Sequence, residues 1–128
     1  LEGNKWIERK LPTSVLAGRV FAMAGRSHQE VYAATSKGLI RWDGSSWSVA
    51  LAPSTETLIS DVWVPATGKR VYALGPKALH VIEGTKVKTV KAHLTTHESL
   101  VSASGHDKRP DELYILTSQA RALRYLAK

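Results

Sequence analysis

The sequence repeats itself with a period of about 41 residues, and this period limits the possible folds more than any other feature. An apolar motif centred on tyrosine recurs at 40- and 42-residue intervals, as Val31-Tyr32-Ala33-Ala34, Val71-Tyr72-Ala73-Leu74 and Leu113-Tyr114-Ile115-Leu116. An acid followed by glycine recurs in the same phase, as Glu2-Gly3, Asp43-Gly44 and Glu83-Gly84. Regular spacing of this length is typical of architectures in which similar units stack on one another.

Each repeat has the local signals of four short strands. In the best-defined repeat we predict strands at Arg19–Ala24, Glu30–Thr35, Gly38–Asp43 and Trp47–Leu51. Val, Ile, Tyr and Trp dominate these runs, as they do in strands generally. Asp43-Gly44 between two apolar runs is a strong hairpin signal, because glycine supplies the positive φ that tight hairpin turns need. The repeat therefore predicts an antiparallel four-stranded unit.

The strands of each unit differ in polarity. The second strand is apolar at nearly every position, which predicts burial on both faces. The fourth strand is charged, with Lys86, Lys88 and Lys91 in one copy, and lysine on an outer strand discourages pairing with other sheets. A β-propeller blade has this gradient from an apolar inner part to a charged outer strand. A β-sandwich with accidental similarity between its strands is the alternative, and the one weak helical candidate is Thr95–Val101.

Residues 30–44 resemble the second and third strands of bacterial propeller blades of the two-component-regulator or Asp-box type. The segment also resembles a WD repeat, because Trp42-Asp43 stands in the place of the Trp-Asp pair of that repeat. The likeness is strongest in residues 20–51 and implies an all-β propeller. We therefore expect a single domain over residues 1–128, with three four-stranded blades at about 12–51, 52–92, and 93–128 completed by 1–11.

The phase of the repeat predicts an assembly. Leu1-Glu2-Gly3 matches the turn before a fourth strand, so we expect a fourth strand at Lys5–Leu11 and a third strand ending near Leu126. Known propellers have about four to eight blades, so three blades leave a ring incomplete. We expect two copies to form a six-bladed ring, a homodimer, through the junction residues Trp6, Ile7, Leu123 and Tyr125. A complementary propeller chain, or further blades of a longer propeller, is the other way to complete the ring.

Composition narrows the class of protein and of partner. The chain has 128 residues and no Cys, and its 18 Lys and Arg against 11 Asp and Glu give a formal charge of +7. These values fit one domain without disulfides or thiolate metal sites, and no apolar run approaches the roughly 20 residues that cross a bilayer. Positive charge favours an acidic macromolecule or an anionic glycan as partner. The sequence shows no secretory signal, but it begins with Leu rather than Met and so leaves room for an upstream segment, and the location stays open.

Motifs for catalysis are missing. The sequence contains no Gly-x-Ser-x-Gly elbow, and Ala66-Thr67-Gly68-Lys69-Arg70 departs from a phosphate-binding loop at its last position. His93 and His97 have the spacing of a helical metal pair, but a solvated loop explains them better. Asp43 and Glu83 fit turn positions, where acids are common. We therefore expect no enzyme activity, no cofactor and no metal.

The candidate contacts for a partner are basic residues and one tryptophan. We place Arg26, Lys69, Arg70, Lys108 and Arg109 in loops after the first strands, at one end of the blades, and Lys37 and Lys77 in hairpins at the other end. Trp63 is the aromatic side chain that could stack on a sugar or a base. These residues predict a non-catalytic binding or scaffold module. The alternatives are a glycan-binding lectin with sites between blades, using Trp63 or Trp42, and a fragment of a propeller hydrolase.

Overall fold

A computed structural model of the chain describes residues 5–8, 19–51 and 58–127, and over these residues the protein is all-β. Eleven strands form three antiparallel sheets, each in chain order. The first sheet contains β1 (Val20–Ser27), β2 (Glu30–Thr35), β3 (Gly38–Trp42) and β4 (Trp47–Leu51). The second contains β5 (Asp61–Trp63), β6 (Arg70–Leu74), β7 (Ala78–Glu83) and β8 (Lys86–Lys91). The third contains β9 (Leu100–Gly105), β10 (Glu112–Thr117) and β11 (Ala122–Leu126). The prediction of an all-β fold is confirmed.

The turns of the first sheet follow directly from their residues. Gly38 and Gly44 have φ values of 120° and 102°, which only glycine adopts without strain. Asp43 Oδ1 accepts hydrogen bonds from the backbone N–H groups of Ser45 and Ser46, both at 2.8 Å. These bonds to the charged form lower the pKa of Asp43 to about 2. Asp43 is thus a turn-forming carboxylate, and the predicted strand positions in this repeat are confirmed to within a few residues.

The three sheets stack in chain order through their first strands, since β1 contacts β5 and β5 contacts β9. One buried apolar cluster, including Ala34, Leu39 and Val71, fills the space between the first and second sheets. A second cluster, including Tyr72 and Leu113, fills the space between the second and third. We call the face of each sheet that points toward the next sheet along the chain its forward face, and the opposite face its backward face.

The third sheet differs from the other two in having three described strands. In the described part of the chain no strand pairs with the outer edge of β11. Burial on both faces is confirmed for β2 and β6, but it is wrong for β10, where Tyr114 and Leu116 are 52% and 54% exposed. The reason is that these two side chains lie on the forward face of the last sheet, which no described residue covers.

Two further expectations differ from the structure. Thr95–Val101 contains a turn followed by the start of β9 rather than a helix. In the expected strand Lys5–Leu11, Lys5 makes a single β-bridge and residues 6–8 are not in a strand, while 9–11 lie outside the described residues.

Candidate interaction surfaces

A charged network joins the first sheet to the second. The Arg26 guanidinium donates hydrogen bonds to the backbone carbonyl of Gly68 and, at 2.9 Å, to that of Arg70. Its Nε lies 3.3 Å from Glu30 Oε1, and Glu30 Oε2 accepts a hydrogen bond of 2.9 Å from the Tyr32 hydroxyl. Burial and the neighbouring Glu30 carboxylate raise the pKa of Tyr32. Arg26 therefore joins two sheets, which is a structural task.

A cleft of about 630 Å³ opens beside this network, between the first and second sheets. Tyr32, Arg41, Ser48 and Lys69 line it together with apolar side chains. The Arg41 guanidinium carbon lies 6.0 Å from the centroid of the Tyr32 ring, within the range of a cation–π contact. Between the second and third sheets there are two smaller clefts, of about 370 and 180 Å³.

The second junction is closed by aromatic packing. Trp63 stacks on Tyr72 with ring centroids 5.3 Å apart, and its ring covers the backbone of Gly105. The Tyr72 hydroxyl donates a hydrogen bond of 2.7 Å to the carbonyl of Pro110, and Asp61 Oδ2 accepts one of 2.9 Å from Ala103 N–H. Trp63 is thus a packing residue between sheets, and the expectation that it reaches a ligand finds no support in its position.

An ion pair with a buried carboxylate, between Arg121 and Glu98, lies at the start of the third sheet. Glu98 has no exposed surface, and its carboxylate accepts hydrogen bonds from Arg121 Nε and Nη2 at 2.8 and 2.9 Å. The Thr117 hydroxyl donates a third bond at 2.6 Å, and Thr95 N–H a fourth at 3.1 Å. Chiefly because of Arg121 and then Thr117, the pKa of Glu98 is lowered to about 2. Glu98 is consequently engaged within the fold and is not a ligand beside His97.

Two further basic residues named from the sequence, Arg70 and Arg109, form ion pairs. Arg70 lies 2.5 Å from Asp111 and 3.7 Å from Glu83, and Arg109 lies 3.1 Å from Glu112. Arg26 lies inside β1 and Arg70 begins β6, so their expected placement in loops is wrong.

The lysines among the candidate contacts lie where the sequence placed them. Lys69 and Lys108 are in loops after the first strands and are exposed, which confirms their predicted position. Lys37 and Lys77 lie in the β2–β3 and β6–β7 hairpins, also as predicted. The Lys77 ammonium donates a hydrogen bond to the carbonyl of Glu98.

The expected junction residues have two different environments. Trp6 and Ile7 are 94% and 47% exposed. Leu123 and Tyr125 lie on the backward face of β11, packed against the cluster between the second and third sheets. Their side chains are therefore already covered within the chain, and the exposed forward face of the third sheet carries other residues.

A site for a metal ion does not assemble in the described part of the chain. No group of three or more His, Asp or Glu side chains there is placed to hold a metal ion. His93 and His97 lie in an exposed connector before β9, and His97 has a positive φ of 68°.

Sequence reasoning missed a repeated group of side chains. Glu30, Tyr32 and Arg41 have the same strand positions as Glu112, Tyr114 and Arg124, since Tyr32 pairs with Arg41 and Tyr114 with Arg124. In the third sheet both Tyr114 and Arg124 contact Glu112, at 2.9 and 3.0 Å. These bonds, Arg124 foremost, lower the pKa of Glu112 to about 2. Aligning the repeats position by position would have found this group.

No protein-family model matches the sequence, and no curated protein matches it. The resemblance of residues 30–44 to propeller repeats therefore stays a prediction. In the described residues there is no helix of the length and apolarity needed to cross a membrane.

Proposed function

We propose that the protein is a non-catalytic binding module of the propeller type, in which the three sheets are blades and one end of the blades engages an acidic macromolecule. The stacking of the sheets through their first strands supports the propeller architecture, because inner strands of successive blades are neighbours around a propeller axis. Fold alone does not specify a ligand, so the argument for the partner rests on charge.

The distribution of charge between the two ends of the sheets carries the proposal. The end with the β2–β3 and β6–β7 hairpins, which we call the basic end, carries Arg19, Lys37, Lys77 and Lys91. The described carboxylates at this end are Glu98, which is enclosed by Arg121, and Asp61, whose oxygens accept backbone N–H bonds. The cations of the basic end are thus not balanced by exposed described carboxylates, and their field favours an acidic partner.

At the opposite end of the sheets, the arginines are neutralised by neighbouring carboxylates. There the guanidinium groups pair with carboxylates, as Arg26 does with Glu30, Arg70 with Asp111, and Arg109 with Glu112. Paired charges of this kind contribute little to attraction at a distance, because the two charges nearly cancel. The basic end is therefore the better candidate for a partner.

A matched pair of charge variants tests this proposal with heparin as the polyanionic probe. The first variant is Arg19→Gln, Lys37→Gln and Lys91→Gln, at the basic end. The second is Lys69→Gln, Lys86→Gln and Lys108→Gln, away from it, with the same change in net charge. We expect the first variant to weaken binding about tenfold or more and to flatten its salt dependence, because fewer counterions are released.

The second charge variant should bind within about twofold of the wild type if location rather than total charge decides affinity. Equal weakening by both variants, or no salt-dependent binding by the wild type, would contradict the proposal. Thermal unfolding of each variant checks that the fold is intact.

A glycan-binding lectin is the second candidate, and the cleft between the first and second sheets is the observation that favours it. In this cleft Tyr32 supplies an aromatic ring, Arg41 a cation and Ser48 a hydroxyl group. A glycan array with the wild type and Arg41→Ala tests this site, since a sugar held in the cleft should lose affinity in the variant. Hydrolysis by a carboxylate pair has no comparable support, because Asp43 is a turn carboxylate.

A further inference from the structure

We propose that the forward face of the third sheet binds the backward face of the first sheet in a second copy of this chain, so that two chains join head to tail into a closed ring. The inference does not depend on the acidic partner. It rests on how the chain already joins its own sheets, and on the observation that residues corresponding to the two halves of that joint recur at the two ends of the stack of sheets, with exposed apolar side chains at both ends.

The forward face of the third sheet copies the forward face of the first. In the first sheet, Ala24, Tyr32 and Arg41 are paired across β1, β2 and β3. In the third sheet, Ser104, Tyr114 and Arg124 are paired in the same positions. Both rows therefore consist of a small residue, a tyrosine and an arginine. The first row faces the second sheet, whereas Tyr114 is 52% exposed.

The next row of residues on the third sheet also corresponds to the first sheet. Ala34 and Leu39 form the apolar pair of the first sheet that packs against the second. Leu116 and Ala122 are the corresponding pair in the third sheet, and Leu116 is 54% exposed. The third sheet thus presents the apolar and polar groups of an internal joint without a described partner.

The backward face of the first sheet supplies the matching half. In the second sheet, this half includes Val62 paired with Ala73, both buried against the first sheet. The corresponding pair in the first sheet is Met23 and Ala33. Met23 on β1 is 57% exposed and Val49 on β4, three strands further along the same row, is 52% exposed. Ala33 and Ile40 between them are buried in a small cluster with Trp47. Exposed apolar side chains grouped on one sheet face indicate a contact surface.

Arg109 gives the joint a polar anchor. Arg26, paired with Glu30, crosses from the first sheet to backbone carbonyls of the second. Arg109, in the loop before β10, also forms an ion pair with the glutamate that begins its second strand, Glu112, and is exposed. By position, its acceptors would be the carbonyls of His28 and Glu30 in the second copy. A hydrogen bond from a charged guanidinium group to a carbonyl is stronger than one from a neutral donor, so this contact would fix the register of the two sheets.

The two halves lie at opposite ends of one stack of sheets, with the second sheet between them. One chain cannot bring them together without breaking its own joints, whereas a second chain can supply both. A contact between two different surfaces closes when the rotation it imposes completes a circle. Two copies placed in this way bury both exposed faces and leave neither half unused.

The mass of the full chain in solution tests the proposal, measured by sedimentation equilibrium over micromolar concentrations. We expect twice the 14.0 kDa of one chain. Leu116→Asp on the forward face and Met23→Asp on the backward face should each weaken association by about 30-fold or more, since a charge would be buried without a partner. Val87→Asp is the control, because Val87 is 43% exposed on an edge strand of the second sheet.

Mixing the variants distinguishes the geometry. Leu116→Asp retains an intact backward face and Met23→Asp an intact forward face, so an equimolar mixture should form heterodimers joined at one junction. Arg109→Met should weaken association by about tenfold without changing the unfolding midpoint of the monomer. A monomeric wild type overturns the proposal, as does a Met23→Asp variant that stays fully dimeric, which would mean that two forward faces pair with each other. Equal loss of association in Val87→Asp would also overturn it.

Discussion

Arg121 encloses the carboxylate of Glu98 from one side with two guanidinium nitrogens, Nε at 2.8 Å from Oε2 and Nη2 at 2.9 Å from Oε1. The same arginine donates a bond of 3.0 Å to the carbonyl of His93. It therefore fixes the connector before β9 to the β10–β11 hairpin, and this connection sets where the third sheet begins.

The ion pair between Glu98 and Arg121 predicts that the fold loses stability in acid. The pKa of Glu98 is about 2 in the folded chain, against an ordinary value of 4.5. A carboxyl group whose pKa is lowered by folding stabilises the folded state at pH values above its ordinary pKa. This contribution is lost as the pH falls from about 4.5 toward 2. Glu98→Gln should lower the free energy of unfolding at neutral pH and make it less dependent on pH in that window. Urea unfolding from pH 7 to 2.5 measures both effects, and an unchanged slope would contradict the assignment.

Tyr72→Phe tests the contact between the second sheet and the loop after β9. Tyr72 is completely buried, and its hydroxyl is the donor to Pro110. Removing it should cost about 0.5–1.5 kcal/mol, because a neutral hydrogen bond is lost and the space is barely changed. Tyr114→Phe is the comparison: its hydroxyl donates a bond of 2.9 Å to Glu112 on a half-exposed face, where water can replace the lost group, so the loss should be smaller. Comparable losses in both variants would show that burial is not what gives the Tyr72 bond its value.

Gly105→Ala tests the packing of Trp63 on the third sheet. A Cβ atom at position 105 would lie 2.4 Å from the Trp63 ring, so the ring or the strand must move. Overpacking of this kind typically costs about 1–3 kcal/mol. Trp63→Leu in the same chain should remove part of the added cost of Gly105→Ala, giving a clear coupling in a double-mutant cycle. The rest of the cost stays, because the new Cβ atom also lies 2.9 Å from the backbone oxygen of Glu112. Additive effects of the two substitutions would contradict the contact, and Ser104→Ala controls for strand propensity.

The sequence predicted local structure well where short-range chemistry decides it. The hairpins around Gly38 and Asp43-Gly44 are predictable because their turn residues are nearly obligatory, and the turns in turn set the bounds of the flanking strands. The third repeat was harder, because Tyr114 and Leu116 have the composition of a buried strand although their face has no described neighbour. Composition records what a face is suited to contact and does not reveal whether that contact lies in the same chain.

Side-chain partners across sheets were beyond sequence reasoning. Arg26 and Gly68 are 42 residues apart, and nothing local distinguishes Arg26 from an exposed loop cation such as Lys108. Glu98 and its ion-pair partner Arg121 are 23 positions apart, so the sequence does not reveal that the two side chains meet. Trp63 likewise looks like a ligand-binding residue until Gly105 is placed beneath it. In each case one repeat length or a long connector separates the partners.

The lysines of β8 give a final prediction about how the stack of sheets avoids unspecific pairing. β8 is the outer strand of the second sheet, and its Lys86 and Lys88 are exposed. Lysine on an edge strand opposes pairing with other strands, because each added chain would bring like charges together. Lys86→Thr with Lys88→Thr keeps strand propensity while removing this repulsion, and should accelerate aggregation on heating several-fold. Static light scattering at matched concentration measures the rate. Lys69→Thr with Lys108→Thr removes the same charge from loops, so equal acceleration in that variant would mean that net charge, and not the edge position, protects the chain.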